Sequence, residues 1–212
     1  YEMSASLVGS EMCIRDRGYG VQLLDKERCC GVALISNGLY KQARRQAETN
    51  LASLRTAVGA RGLDVITTSS TCTFTLRDEY PHLLDLPNDD VRERIELATR
   101  YLYRLLREEG HKLRFKDASP LRVAYHTPCH MEKMGWACYS IELLRMIPGV
   151  EVTVLDSQCC GIAGTYGFKK ENYATSQAIG EPLFRQIEAS GADLVATDCE
   201  TCKWQIEMST SK

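Results

Sequence analysis

Long apolar runs are missing from this 212-residue chain. No stretch approaches the roughly 18 consecutive apolar residues that a membrane-spanning helix requires, so any membrane association is expected to be peripheral or through a partner. An excess of either charge is missing too. The 26 lysines and arginines stand against 28 aspartates and glutamates, a formal net charge of -2, which gives no overall attraction to a phosphate backbone and speaks against a nucleic-acid partner. There is no G-x-G-x-x-G fingerprint, no P-loop and no convincing Ser/His/Asp set. The common sequence signs of dinucleotide binding, nucleotide hydrolysis and triad catalysis are therefore absent, and neither flavin nor nucleotide is expected in this chain. No secretory signal is legible.

Cysteine, by contrast, is abundant, with ten in the chain. A small secreted domain uses cysteines as disulfides because its core is too small. Here 44% of residues are hydrophobic, enough for a sizeable core, so metal binding by reduced thiols ranks above disulfides. The stretch Tyr1 to Arg17 (YEMSASLVGSEMCIRDR) has neither strand nor helix periodicity. It resembles translated adapter sequence and is set aside with Cys13 as a non-native or disordered leader.

The rest of the chain contains one pattern twice. Cys29-Cys30-Gly31 recurs as Cys159-Cys160-Gly161, and Ser69-Ser70-Thr71-Cys72 recurs as Cys199-Glu200-Thr201-Cys202 with the same spacing and no gap. Val65 and Thr67 fall on Val195 and Thr197 by that spacing. The expected division is a leader (1–17), a first, degenerate repeat (18–90), a connecting helix and linker (91–120) and a second, complete repeat (121–212).

The second repeat predicts strand Leu121 to Tyr125, a helix from Cys129 to about Ile147, and strand Val150 to Leu155. A cysteine loop from Asp156 to Gly167, a helix from Tyr173 to Ala189, strand Asp193 to Ala196 and a last helix capped by Asp198 complete it. The first repeat predicts a strand near Val21 to Leu24, a helix Leu39 to Val58 and strand Asp64 to Thr67. Between them Ile95, Ala98, Leu102, Leu105 and Leu106 form one apolar stripe, which predicts a helix from Val91 to Glu109. Alternating strands and helices predict an α/β fold of two tandem units with short parallel sheets. Cysteine loops then lie at the carboxyl ends of the strands, where sites gather in such sheets. Cys129 and Cys199 are expected at helix N-termini, where the helix dipole favours the thiolate.

The second repeat offers Cys129, the pair Cys159-Cys160, and Cys199-x-x-Cys202. Five thiols are one more than a tetrahedral zinc site takes, and adjacent cysteines more naturally touch separate metal atoms, as a multi-iron cluster allows. A structural zinc site and a thiol–disulfide site remain as alternatives. Several neighbours allow two readings: His126 and His130 as donors to cluster sulfurs or as loop residues, Lys169, Lys170 and Lys203 as a docking rim or a solvated face, Trp136 and Trp204 as covers for the centre or as core elsewhere. Cys138 reads as a buried small hydrophobe.

The segments KERCCG, YHTPCH, DSQCCG and TDCETC resemble the cysteine-rich CCG domain family, found in the B subunit of heterodisulfide reductase and in several respiratory dehydrogenase subunits. The wider text from Gly18 to Lys212 resembles the C-terminal part of the C subunit family of anaerobic glycerol-3-phosphate dehydrogenases. That resemblance implies a non-cubane [4Fe-4S] cluster on Cys129, Cys159, Cys160, Cys199 and Cys202. In the first repeat Ser69 stands where a ligand would be and the counterpart of Cys129 falls outside the chain, leaving only Cys29, Cys30 and Cys72 as candidates. The resemblance further implies an oxidoreductase subunit that passes electrons from flavin-containing catalytic partners, which oxidise glycerol 3-phosphate, toward membrane quinone. It would act at the cytoplasmic face of the bacterial inner membrane. The alternative that the resemblance implies is a CCG-domain subunit of a related lactate, glycolate, succinate or heterodisulfide oxidoreductase. No ferredoxin-type cysteine run precedes the CCG segments here, so the chain is expected to be a fragment.

Overall fold

A computed structural model describes residues 20–24, 26–107 and 120–212. The leader with Cys13, and the linker from 108 to 119, lie outside the described residues.

The first unit contains helices α1 (Val32–Ile35) and α2 (Tyr40–Arg55), strand β1 (Val65–Thr67) and helices α3 (Ser70–Phe74), α4 (Tyr80–Leu84) and α5 (Asp89–Arg92). Strand β2 (Ile95–Leu97) and helix α6 (Ala98–Arg107) follow. Helix α2 forms because Ala43, Ala47, Leu51 and Leu54 recur on one stripe, and that stripe is buried. It continues through a π-helical turn, Thr56–Ala60. Its apolar face meets Ile35, Tyr80, Leu84, Val91 and Ile95 in one core.

Two expectations fail here. Val21 to Leu24 joins no sheet. The segment runs irregularly along the side of α2, with Leu24 against the core and Arg61 bonded to the Gln22 amide at 3.1 Å. The helix expected from Val91 to Glu109 is split: Ile95–Leu97 is a strand, paired parallel with β1 in the register Val65 to Ile95 and Thr67 to Leu97. The apolar stripe is real, but Ile95 serves it from a strand. Glu96 in that strand is almost fully buried and is held by Arg100 and Arg104 from α6.

The second unit contains β3 (Leu121–Tyr125), α7 (Cys129–Met134), α8 (Ala137–Arg145), β4 (Val150–Val154), α9 (Tyr173–Ala189), β5 (Leu194–Ala196) and α10 (Glu200–Ser209). The sheet is parallel in the order β4-β3-β5. The single helix expected after Cys129 is two, because Gly135 takes a left-handed conformation at φ 68° and caps α7. Leu183, Phe184 and Ile187 of α9 and Ile206 of α10 pack with Ala124, Cys160, Cys199 and Cys202 in a second core. The described residues are thus α/β with two short parallel sheets, as the alternating pattern predicts.

The two units touch through their loops. Ser70 N–H donates to the Asp198 carbonyl at 2.8 Å. Asn37 donates to Thr165 Oγ1 at 2.6 Å, beside Gly164, where a Cβ would strike Ser36.

Candidate metal centre

The five candidate ligands, Cys129, Cys159, Cys160, Cys199 and Cys202, lie on the loops or first helical turns that follow β3, β4 and β5. Cys129 opens α7 behind Pro128. Cys159 and Cys160 follow β4, where the Gly161 amide donates to Cys159 Sγ at 3.3 Å. Cys199 caps α10, and Cys202 stands one turn inside it. The sulfurs of Cys160 and Cys202 are 3.2 Å apart. Cys160, Cys199 and Cys202 are buried, while Cys129 and Cys159 are exposed at the rim. No disulfide joins the described cysteines.

The thiols feel one another's charge. Cys199 is held down at about 6 by the Cys202 thiol, with help from the Thr201 and Thr71 hydroxyls, against burial. Cys160 is lowered by the Cys159 and Cys202 thiols. Cys129, Cys159 and Cys202 are raised, the first by burial and then by Cys199 and Cys160. The helix start expected to favour the Cys129 thiolate is therefore outweighed, first by burial and then by the nearby Cys199 and Cys160 sulfurs. A thiolate at one position is offset by a neutral thiol at the next. Five thiolates can coexist here only around a cation, and metal coordination removes such protons outright.

Among the described residues no three His, Cys, Asp or Glu side chains form a ready-made site for a metal ion. His126, 1% exposed, sits beside Cys160, and neither ring nitrogen has a hydrogen-bond partner among the described residues. A buried imidazole without partners is costly unless something else supplies an acceptor. An inorganic sulfide of a cluster held by these thiols would be such an acceptor. The donor chemistry, the crowding and the orphaned His126 all fit an iron–sulfur core larger than one ion.

The neighbours resolve as follows. His130 stacks on Phe74, with ring centroids 4.9 Å apart, and meets Thr71 Oγ1 at 3.1 Å. Trp136, partly buried, lies under the guanidinium groups of Arg77 and Arg100, in a contact between the units. Trp204 is exposed and meets Phe168 edge-on. Lys169, Lys170 and Lys203 are solvent-facing, and Lys203 pairs with Glu207. Cys138 is exposed, not buried, its thiol 3.8 Å from the Gly135 carbonyl, because α8 starts one residue after Trp136 and turns that side outward.

Asp198 does not cap α10. Its carboxylate accepts from Tyr125 at 2.5 Å, Ser140 at 3.0 Å and Thr99 at 3.2 Å, joining β3, α8 and α6 immediately before Cys199. Sequence reading misses this junction, since its partners are far apart in the chain. Asp198→Ala strands three hydroxyls and is expected to cost ~2–3 kcal/mol in chemical denaturation; a loss below ~0.5 kcal/mol, the range of a neutral surface change, would refute it.

In the first unit Cys29, Cys30 and Cys72 also converge: Cys30 is raised to about 12, with hydrogen bonds to both other thiols, while Cys72 is lowered by Cys30. Asn50 and Tyr80 clamp this loop, with Asn50 accepting from Arg28 N–H at 2.9 Å and Tyr80 donating to the Cys30 carbonyl at 3.0 Å. Ser69 takes the place of the fourth thiol. The two thiol groups adjoin, because Cys72 feels the charge of Cys199.

The sequence profile of the Cysteine-rich domain, CCG, matches residues 13–77 and 123–207. The chain belongs to the CCG cysteine-rich domain family. It is 71% identical over 194 residues to the C subunit of the anaerobic glycerol-3-phosphate dehydrogenase of Escherichia coli (strain K12), covering 92% of this chain and 48% of that protein. It is 28% identical over 203 residues to the B subunit of the fumarate reductase (CoM/CoB) of Methanothermobacter marburgensis, covering 94% of this chain and 38% of that one. Identity to the lactate utilization protein A of Geobacillus thermodenitrificans is also 28%, over 188 residues, with 86% and 75% coverage. The chain thus spans about half the length of the Escherichia coli protein. Among the described residues no helix is long and apolar enough to cross a membrane.

Proposed function

We propose that Cys129, Cys159, Cys160, Cys199 and Cys202 hold a non-cubane [4Fe-4S] cluster, and that this chain is the electron-carrying part of an anaerobic respiratory dehydrogenase. The observation that carries the reading is the meeting of five thiols from three strand ends, two of them 3.2 Å apart, beside a buried histidine whose nitrogens have no protein partner among the described residues. When bound, the cluster supplies one-electron chemistry. The protein's part is to place the thiolates, to keep Cys160, Cys199 and Cys202 away from water, and to donate hydrogen bonds from His126, Thr71 and Thr201. In this reading flavin-containing partner subunits are the electron source and membrane quinone the destination, with the chain peripheral at the cytoplasmic face; the likeness to a subunit of a glycerol-3-phosphate dehydrogenase supports it. Cys29, Cys30 and Cys72 differ from that set in having Ser69 where the second unit has Cys199, so the cluster is assigned to the second unit.

Iron and acid-labile sulfide counting on anaerobically prepared protein, with electron paramagnetic resonance, tests this. The expected result is about four irons and four sulfides per chain. Zinc without sulfide would replace the proposal with a structural site.

A further inference from the structure

Cys199 Sγ has two hydroxyl neighbours from repeat-equivalent positions. Thr201, in its own helix α10, stands at 3.2 Å. Thr71, in α3 of the first unit, stands at 3.4 Å. The first unit has Ser69 where the second has Cys199, yet its next-but-one residue reaches across to the second unit's sulfur. We infer that Thr71 is a positioning residue of the metal centre, donating its hydroxyl proton to the Cys199 ligand sulfur and so setting the potential of a cluster in the other unit. The inference rests on the cluster reading above.

Proton counting fixes the direction. A ligating thiolate only accepts, and a threonine hydroxyl has one proton and can also accept. With Thr71 O–H directed at Cys199 Sγ, its oxygen must accept from its other neighbour, His130 Nδ1, at 3.1 Å. The imidazole therefore carries its proton on Nδ1. Three contacts hold this chain of donors in place. His130 lies flat on Phe74, with an interplanar angle of 14°. Lys133 sits over the Phe74 ring, 5.2 Å from its centroid. Ser70 N–H, next to Thr71, is bonded to the Asp198 carbonyl at 2.8 Å. Helix α3 is thereby anchored at the residue before Cys199, and Thr71 has little room to turn away.

Reduction adds negative charge that spreads onto the ligand sulfurs, so a donor to sulfur stabilises the reduced state more than the oxidised one. Removing the donor shifts the potential to more negative values. Thr71→Val keeps the shape and deletes the hydroxyl, Thr71→Ser keeps the hydroxyl, and Thr71→Ala is a second deletion should valine disturb the packing of α3. In redox titrations of the full chain followed by electron paramagnetic resonance, the valine and alanine variants are expected to show a roughly threefold to tenfold lower reduced-to-oxidised ratio at a fixed ambient potential. Serine is expected to restore it.

A cluster present in every variant with unchanged potentials would overturn this inference alone. Loss of the cluster in both deletion variants, with no shifted potential, would make Thr71 a purely structural residue and overturn it too. A chain without any cluster before substitution would overturn the cluster reading and this inference together.

Discussion

Replacing Cys160 by serine is expected to abolish the visible absorbance of the anaerobically reconstituted protein, whereas Cys138→Ser leaves it intact. Cys160 sits among the other thiols of the second unit. It lies 3.2 Å from Cys202, next to Cys159, and beside His126, and only 5% of the residue is exposed. Its anionic form is favoured by the neighbouring thiols and the Ile162 amide. A serine hydroxyl is a far weaker, harder ligand that does not ionise at neutral pH, and at this depth it would leave a polar group without a partner. The other four thiols would then surround metal with an incomplete shell. Cys138 lies outside that field altogether, exposed on α8. Equal loss of absorbance in both variants would count against the ligand assignment, because it would mean that the colour reports folding rather than ligation.

How far the sequence anticipates this site depends on the range of the forces involved. The strand Leu121–Tyr125 and the helix Tyr173–Ala189 appear where periodicity places them, since each is decided by its own burial pattern. The repeat is legible because it is a matter of spacing, and it leads to all eight cysteines that gather in the two adjoining groups. Gly135 is legible too, as a glycine within a helical pattern, but the apolar residues on either side of it argue for an unbroken helix and mask the cap. The strand Ile95–Leu97 cannot be read locally. Its stripe suits either a helix or a strand, and the deciding partner, Val65 to Thr67, is some 30 residues earlier. The same holds for Asp198. As a polar residue before a helix it reads as a cap, and only the fold brings Tyr125, Ser140 and Thr99 to its carboxylate. Thr71 has one sequence sign, its alignment with Thr201, but which sulfur it serves is a property of how the units meet.

Gly161→Ala is expected to destabilise the protein by about 4 kcal/mol or more and to eject the cluster, while Gly31→Ala costs only about 1–2 kcal/mol. Both glycines follow a Cys-Cys pair, and both are left-handed, at φ 92° and 97°. The backbone penalty for a side chain is therefore the same at each. The surroundings differ. A Cβ on Gly31 would find nothing closer than 3.8 Å, whereas one on Gly161 would fall 2.0 Å from the Ser176 carbonyl oxygen. That oxygen belongs to α9, which is held close to the loop: a Cβ on Gly180 of the same helix would fall 2.6 Å from the Cys160 carbonyl oxygen, and Ser176 Oγ donates to the Gly161 carbonyl at 2.9 Å. Gln205 of α10 holds Ser176 from the other side at 3.1 Å. The loop bearing Cys159 and Cys160 is thus gripped between two helices, and the grip keeps Cys160 against Cys202. Denaturation curves and cluster absorbance of the two variants separate the effects. Equal losses would show that the left-handed turn alone, and not close contact with α9, fixes the sulfur positions.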